Sequence, residues 1–171
     1  MTVTSDLAHR RLRDIFGTFA SGLTVITSST PDGAAGFTCQ SFASLSLDPA
    51  LVSFSPARSS TTWPALRKVG SFTVNILPSE HRHLAGQFAR SNSDKFAGVG
   101  LTSSPLGNPV LDDALAWLDC ELHAEYDGGD HTIVVAAVRH LDARRDGQPL
   151  VFFRGRYAAL APADLLLGAV G

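Results

Sequence analysis

Two long strand-like runs, Leu115 to Tyr126 and Thr132 to Leu141, flank Asp127-Gly128-Gly129-Asp130. Glycine and aspartate tolerate the positive φ of a tight reversal, so this arrangement predicts a β-hairpin. A second strand pair, Leu150 to Phe153 and Tyr157 to Leu160, is separated by Arg154-Gly155-Arg156. The C-terminal half is therefore almost purely β, and the tail from Ala161 reads as loosely packed helix or frayed end. Several short strands with few helices point to a small barrel.

The N-terminal half mixes the two periodicities. Ser5 is placed to cap a helix whose first turn holds Asp6, and Leu12, Ile15, Phe16 and Phe19 recur at helical spacing as one apolar stripe ended by Gly22. Leu23 to Thr27 is β-branched and strand-like, closed by the turn Pro31-Asp32-Gly33, and a second strand follows through Phe37. Leu51 to Phe54 and Phe72 to Leu77 are further strands, with a helix around Ala65 to Lys68 between them. Pro78-Ser79-Glu80 opens another helix through about Phe88, and Arg90-Ser91-Asn92-Ser93-Asp94-Lys95 reads as a polar loop. With 171 residues and no linker, repeat or low-complexity segment, residues 1–171 are expected to form one domain.

Two loops in this half concentrate short polar side chains. Thr38-Cys39-Gln40-Ser41 offers an amide and several small donors and acceptors, a set that can read a flat heterocycle edge-on. Arg58-Ser59-Ser60-Thr61-Thr62 supplies a cation and four hydroxyls just before a helix beginning near Trp63-Pro64, where unpaired backbone N–H groups favour an anion such as phosphate. Capping of that helix by Ser60 and Thr62 is the plain alternative, and it is compatible with phosphate binding.

Other chemistries find less support. There is no G-x-G-x-x-G after a strand and no G-x-x-x-x-G-K-[ST], so a dinucleotide must be held another way. No G-x-S-x-G elbow marks a hydrolytic serine. On a helix, His81 and His83 would diverge by about 200° at roughly 100° per residue, which makes them poor joint metal ligands, and no metal is expected. Cys39 and Cys120 follow no zinc spacing and are too few for a disulfide scaffold. Cys39 reads as a small buried filler rather than a nucleophile. His131 follows Gly128-Gly129-Asp130 and could project from the sheet end into a cleft, oriented by Asp130, or simply lie in water.

A net charge of −2 without like-charge runs argues against nucleic acid and anionic membranes as partners. No run approaches the roughly 20 apolar residues of a membrane span, and the N-terminus lacks a signal-peptide apolar region, so a cytoplasmic protein is expected.

In order and spacing, Gly22-Leu23-Thr24-Val25-Ile26-Thr27, Gly36-Phe37-Thr38-Cys39-Gln40-Ser41-Phe42, Ser46-Leu47-Asp48-Pro49, Asp94-Lys95-Phe96, Gly129-Asp130-His131 and Arg154-Gly155-Arg156-Tyr157 resemble the short-chain flavin reductase family. These are FMN-binding split-barrel reductases that supply reduced flavin to two-component monooxygenases, and the likeness runs from about Phe16 to Tyr157. It implies a mainly β fold with flanking helices, an FMN-binding split β-barrel. It implies that Thr38, Gln40, Ser41 and Ser44 line the isoalloxazine and that Arg58, Ser60 and Thr62 bind the flavin phosphate with help from Lys95, Phe96 packing nearby; Cys39, Ser55 and Ser59 are further cofactor-binding candidates. His131 would lie against the nicotinamide as its leading contact and the one catalytic position, assisted by Arg154 and Tyr157, with Asp130 beside it a further cofactor-binding candidate. Phe153 departs from the Tyr or His of many members.

The activity so implied is NAD(P)H:flavin oxidoreduction, NADH favoured over NADPH, with FMN or FAD as the flavin. The reduced flavin would diffuse to an oxygenase component, and the likeness is strongest to actinobacterial members that serve hydroxylases of aromatic or steroid-derived phenols. Such proteins are commonly homodimers, and the N-terminal apolar stripe offers a face to bury. Two rivals remain at this point: a non-catalytic flavin-binding module, and a split-barrel enzyme that keeps its FMN and acts on its own organic substrate.

Overall fold

The computed structural model describes residues 6–91, 94–144 and 146–160. It begins with α1 (Asp6–Phe16), β1 (Ser21–Gly22), β2 (Thr24–Thr30), β3 (Gly33–Cys39), β4 (Ala43–Leu47) and β5 (Ala50–Phe54). Next come α2 (Trp63–Val69), β6 (Ser71–Ile76), a 3-10 turn (Ser79–His81) and α3 (Arg82–Ala89). The rest is strand: β7 (Leu101–Ser103), β8 (Pro109–Leu111), β9 (Ala116–Gly128), β10 (His131–Ala143), β11 (Val151–Phe153) and β12 (Arg156–Ala158).

The expected hairpin is the spine. Its two strands pair from Gly128 opposite His131 to Ala116 opposite Ala143, turning on Gly129 at φ 78° and Asp130. Register shifts at Val135/Ala136 and Val138/His140 bend them. β6 adds to the free edge of β9 and β5 to that of β10, giving a seven-stranded antiparallel sheet in the order β3-β2-β6-β9-β10-β5-β4. β7 pairs with β8, and β1-β11-β12 form a small third sheet. The mainly β architecture with flanking helices is as the sequence indicates.

Both faces of the large sheet are covered, which is why neighbours in sequence are buried together. In β2, Ile26 belongs to the cluster of Phe54, Phe72, Val74 and Val134 with Trp63 and Leu66 of α2. Val25 beside it belongs to the other cluster, with Leu77, Leu111, Leu150 and the apolar face of α3, Leu84, Ala85 and Phe88. The first is aromatic: the rings of Phe54 and Trp63, and of Phe54 and Phe72, meet edge to face at 5.4 Å. Each large side chain so buried contributes about 1.5–3 kcal/mol.

The second face also holds a buried polar network. Asn75 donates through Nδ2 to the Val25 carbonyl at 3.0 Å and to Thr27 Oγ1 at 2.9 Å, while its Oδ1 accepts from Leu111 N at 2.9 Å. The Asp119 carboxylate accepts from Thr73 Oγ1, Asn108 Nδ2 and Leu106 N. These bonds fasten the β7–β8 ribbon across β2, β6 and β9.

Three sequence expectations need correction. The first helix stops at Phe16, not Gly22: Gly17 N still reaches the Arg13 carbonyl, but Thr18 turns back through its N and Oγ1 to Ile15 O, and Gly22 lies in β1. Phe19 is thus off the helix. His81 sits in the 3-10 turn ahead of α3, so its ring meets that of His83 edge to face at 6.2 Å instead of diverging. Strands β7 and β8, three residues each, are too short to be read from sequence, and β4 alternates with its leucines turned outward. The Ser5 cap, Asn92 and Ser93 of the polar loop, and the tail from Ala161 lie outside the described residues. Among the described residues no helix is long and apolar enough to cross a membrane, and no group of His, Cys, Asp and Glu is placed to hold a metal ion.

Replacing Asn75 with alanine should cost about 2–4 kcal/mol in urea unfolding, because it leaves a buried Leu111 N–H without a partner and opens a void. A loss below about 1 kcal/mol would show that the network is dispensable.

Candidate functional site

The polar loops meet. The end of β3 and its loop to β4, the β5–α2 loop, the start of β10 and the end of α3 together enclose a cleft of about 750 Å³. Thr38, Cys39, Gln40, Ser41, Ser55, Ser59, Ser60, Thr62, Lys95 and His131 all line it. These were expected from sequence. Phe16, Phe19 and Arg90 were not, although the apolar stripe already required a surface to lie on; its distal end forms one wall of the cleft.

Much of the hydroxyl chemistry is spent on shaping the cleft. Ser41 Oγ accepts from Ser55 N at 2.7 Å and donates to the Ser55 carbonyl at 3.2 Å, tying the β3–β4 loop to the end of β5. Thr38 Oγ1 donates to the Ala85 carbonyl at 2.7 Å, fixing β3 against α3. Ser60 Oγ accepts from Trp63 N at 3.1 Å and Thr62 N at 3.3 Å, so Ser60 caps α2 and consumes the helix's leading donors. Pro64 has none to give. Among the described residues the amides of Ser59 and Thr61 and the Gln40 side chain have no hydrogen-bond partner, and these remain for a ligand.

Lys95 brings the positive charge. Its Nζ donates to the Gly36 carbonyl at 3.0 Å and to Thr62 Oγ1 at 3.4 Å, and partial burial holds its pKa below the ordinary lysine value. Gly36 is required there: a Cβ would stand 2.9 Å from the Ile26 carbonyl oxygen and 3.1 Å from the Phe88 ring. At the mouth, His131 Nδ1 lies 2.7 Å from Asp130 Oδ1, a contact that restrains the ring. That bond to His131 lowers the Asp130 pKa.

The remaining expected residues lie elsewhere. Arg58 does not reach the cleft; its guanidinium pairs with Asp127 and the Gly129 carbonyl on the hairpin turn. Ser44 is exposed on β4. Phe96 packs edge to face on Phe88 at 4.9 Å, behind the wall. Arg154 stacks over Phe153 and borders a separate hollow near α1. Tyr157 packs between Phe152 and the Arg82 guanidinium.

The family model described as flavin reductase like domain matches residues 16–161. The reductase subunit HsaB of a flavin-dependent monooxygenase from Rhodococcus jostii is 43% identical over 153 residues, 90% of this chain and 78% of that protein. The FMN reductase (NADH) SmoA of Agrobacterium fabrum is 40% identical over 86% of this chain and 84% of its own. The crystal structure of a nitrilotriacetate monooxygenase component B homologue from Mycobacterium thermoresistibile superposes with a TM-score of 0.93 at 40% identity, covering 96% of this chain and 93% of that one.

Both free thiols are held protonated. Burial pushes the Cys39 thiol above its ordinary 9.0, and burial with the neighbouring Asp119 charge pushes Cys120 up to about 12. A thiol-reactive reagent at pH 8 should therefore label the native protein far more slowly than the unfolded one. Because the unfolded chain releases these protons first as pH rises past 9.0, the folded state should lose stability above that value. Rapid native labelling of Cys39 would mark it as reactive.

Proposed function

The chain belongs to the flavin reductase-like domain family, and from that premise we propose that it is an NADH-dependent flavin reductase of split-barrel type that reduces FMN and releases it to a partner monooxygenase. The observation that carries this is the cleft itself: one wall of small polar groups, one of aromatic side chains, and a single half-buried lysine beside Thr62. Those residues fit a flavin phosphate and ring better than they fit a sugar or a peptide. Lys95, the Thr62 hydroxyl and the Ser59 and Thr61 amides supply the anion site, and Gln40 supplies a donor and an acceptor for a heterocycle edge.

Flavin and nicotinamide, when bound, supply the redox chemistry, a hydride passing from nicotinamide C4 to flavin N5. The protein's part is alignment and exclusion of water. The Ser41–Ser55 and Ser60 bonds hold the polar loops still, Phe16 and Phe19 would shield the ligand on one side, and His131, held by Asp130, would contact the nicotinamide. A site built mainly from neutral donors, with Lys95 beside the hydroxyl loop and Arg90 on the rim, suits a ligand that must leave. Micromolar binding corresponds to about 8 kcal/mol, half of what a permanently held cofactor at picomolar strength requires.

The described residues act as one domain with one cleft in this reading, in a cytoplasmic setting that suits two free buried thiols. A second copy would cover the apolar surface left open by β4, the end of α1 and the turn after it, where Leu47 is 95%, Phe16 67% and Phe19 79% exposed.

Under anaerobic conditions NADH should bleach many equivalents of free FMN at about 450 nm, where oxidised flavin absorbs. No bleaching would support a carrier module, and bleaching of only bound flavin a self-contained enzyme. His131→Ala should lower NADH-dependent turnover roughly tenfold or more while leaving FMN affinity within about twofold; equal loss of both would refute the division of labour. Sedimentation across a dilution series should report a dimer, and a monomer at every concentration would overturn that assignment.

A further inference from the structure

We infer that Arg58 is a positioning residue that fixes the Gly129-Asp130-His131 turn over the cleft, and that it takes no part in binding the flavin phosphate. The inference rests on the reductase reading for its consequence, and on geometry for its substance. Arg58 grips the turn at three points: its backbone N donates to the Asp130 carbonyl at 2.9 Å, Nε to the Gly129 carbonyl at 2.7 Å, and Nη2 to Asp127 Oδ1 at 2.6 Å. Asp127 Oδ1 also accepts from Gly129 N at 3.0 Å, so guanidinium, carboxylate and turn form one closed ring of bonds. Next to it Thr132 N donates to the Pro56 carbonyl at 3.0 Å, and Ala57 bridges to His131.

The charge is paired, and two of the five guanidinium N–H donors are committed to the turn. Arg58 holds the Asp127 carboxyl below its ordinary range, and the pair faces a separate cavity of about 400 Å³. The cation beside the hydroxyl loop is Lys95. An exposed ion pair of this kind adds little to stability, so its value lies in orientation. Gly129 is free to take left-handed φ, and a turn carrying such a residue is otherwise loosely specified. Arg58 removes that freedom one residue before Asp130 and two before His131. The forked guanidinium is needed because lysine cannot serve two acceptors at a fixed angle.

The test compares Arg58→Ala and Arg58→Lys with the unaltered protein. FMN and riboflavin affinities are read by flavin fluorescence, NADH turnover at saturating FMN, and backbone amide signals by NMR. Both variants should keep FMN affinity and the FMN-over-riboflavin ratio within about twofold, while kcat/KM for NADH falls roughly tenfold or more. Combined with His131→Ala, neither should lower turnover further, since both changes disable one contact. The Gly129, Asp130 and His131 amides should shift or broaden while those of Ser59 and Thr61 stay in place. Lys95→Ala, by contrast, should collapse the FMN-over-riboflavin ratio.

Loss of FMN affinity with riboflavin affinity intact, rescued by Arg58→Lys, would make Arg58 a phosphate ligand and overturn the proposal. So would unchanged turnover, additivity with His131→Ala, or undisturbed turn amides. If the unaltered protein reduces no flavin, the reductase reading fails. The amide signals still decide whether Arg58 holds the turn.

Discussion

An antiparallel sheet ordinarily keeps one face in water, and that face is where its polar side chains go. Here the outlet is closed: α2 and its aromatic cluster cover one side, α3 and the β7–β8 ribbon the other. Every polar side chain that remains between strands must find its partners inside. Thr27, Thr73, Asn75 and Asp119 are fully buried, and each is bonded to another strand or to the ribbon. A carboxylate in such a place is tolerable only with several donors, and Asp119 has three. The interior polar network is a consequence of double coverage, and it makes the sheet a fixed floor.

A fixed floor leaves variation to the ends of the sheet. Strands β3 and β4 are its two edges and follow each other directly in sequence, so the loop between them turns across the unclosed seam. The cleft opens there. Its hydroxyl groups divide by task once the bonds are counted: Thr38, Ser41 and Ser60 hold backbone, whereas Gln40, Thr62, Lys95 and the loop amides face outward. Preorganised neutral donors bind without the desolvation cost of many charges, which is the character wanted in a site that returns its ligand.

The hairpin, the turn at Gly33 and the strand from Ser71 were legible because local pattern and long-range pairing agree at those places. Where they disagree, sequence misleads. Phe19 continues the helical spacing of Leu12, Ile15 and Phe16, yet two residues earlier the chain has left the helix, with the Gly17 carbonyl accepting from Arg154 N on the far side of the sequence. Strand β4, with the sequence Ala-Ser-Leu-Ser-Leu, exposes its leucines, so alternation points the wrong way. Arg58 lies among hydroxyls that do line the cleft, and its neighbours predicted its role; its actual partner is 69 residues away. Motif order was enough to reveal the family. Which atoms are already occupied was not, since that depends on pairs the sequence does not juxtapose.

Lys95 shows how occupancy and charge combine. A lysine taken partly out of water without a carboxylate opposite it bears a desolvation penalty, visible as its depressed pKa. Its two bonds, to a carbonyl and a hydroxyl, offset only part of that penalty because neither partner carries charge. A phosphate arriving beside Thr62 would supply the missing anion and raise the pKa toward its ordinary value, so the energy withheld in the free protein is returned on binding. Arginine would not behave this way: it stays charged and weakly hydrated in the same place, and would hold a phosphate bidentately and longer. An ammonium on a flexible stem would combine recognition of a phosphate with quick release, and Lys95, bonded to Thr62 while Arg58 is bonded to the hairpin turn, is the cation that stands directly against the hydroxyl loop.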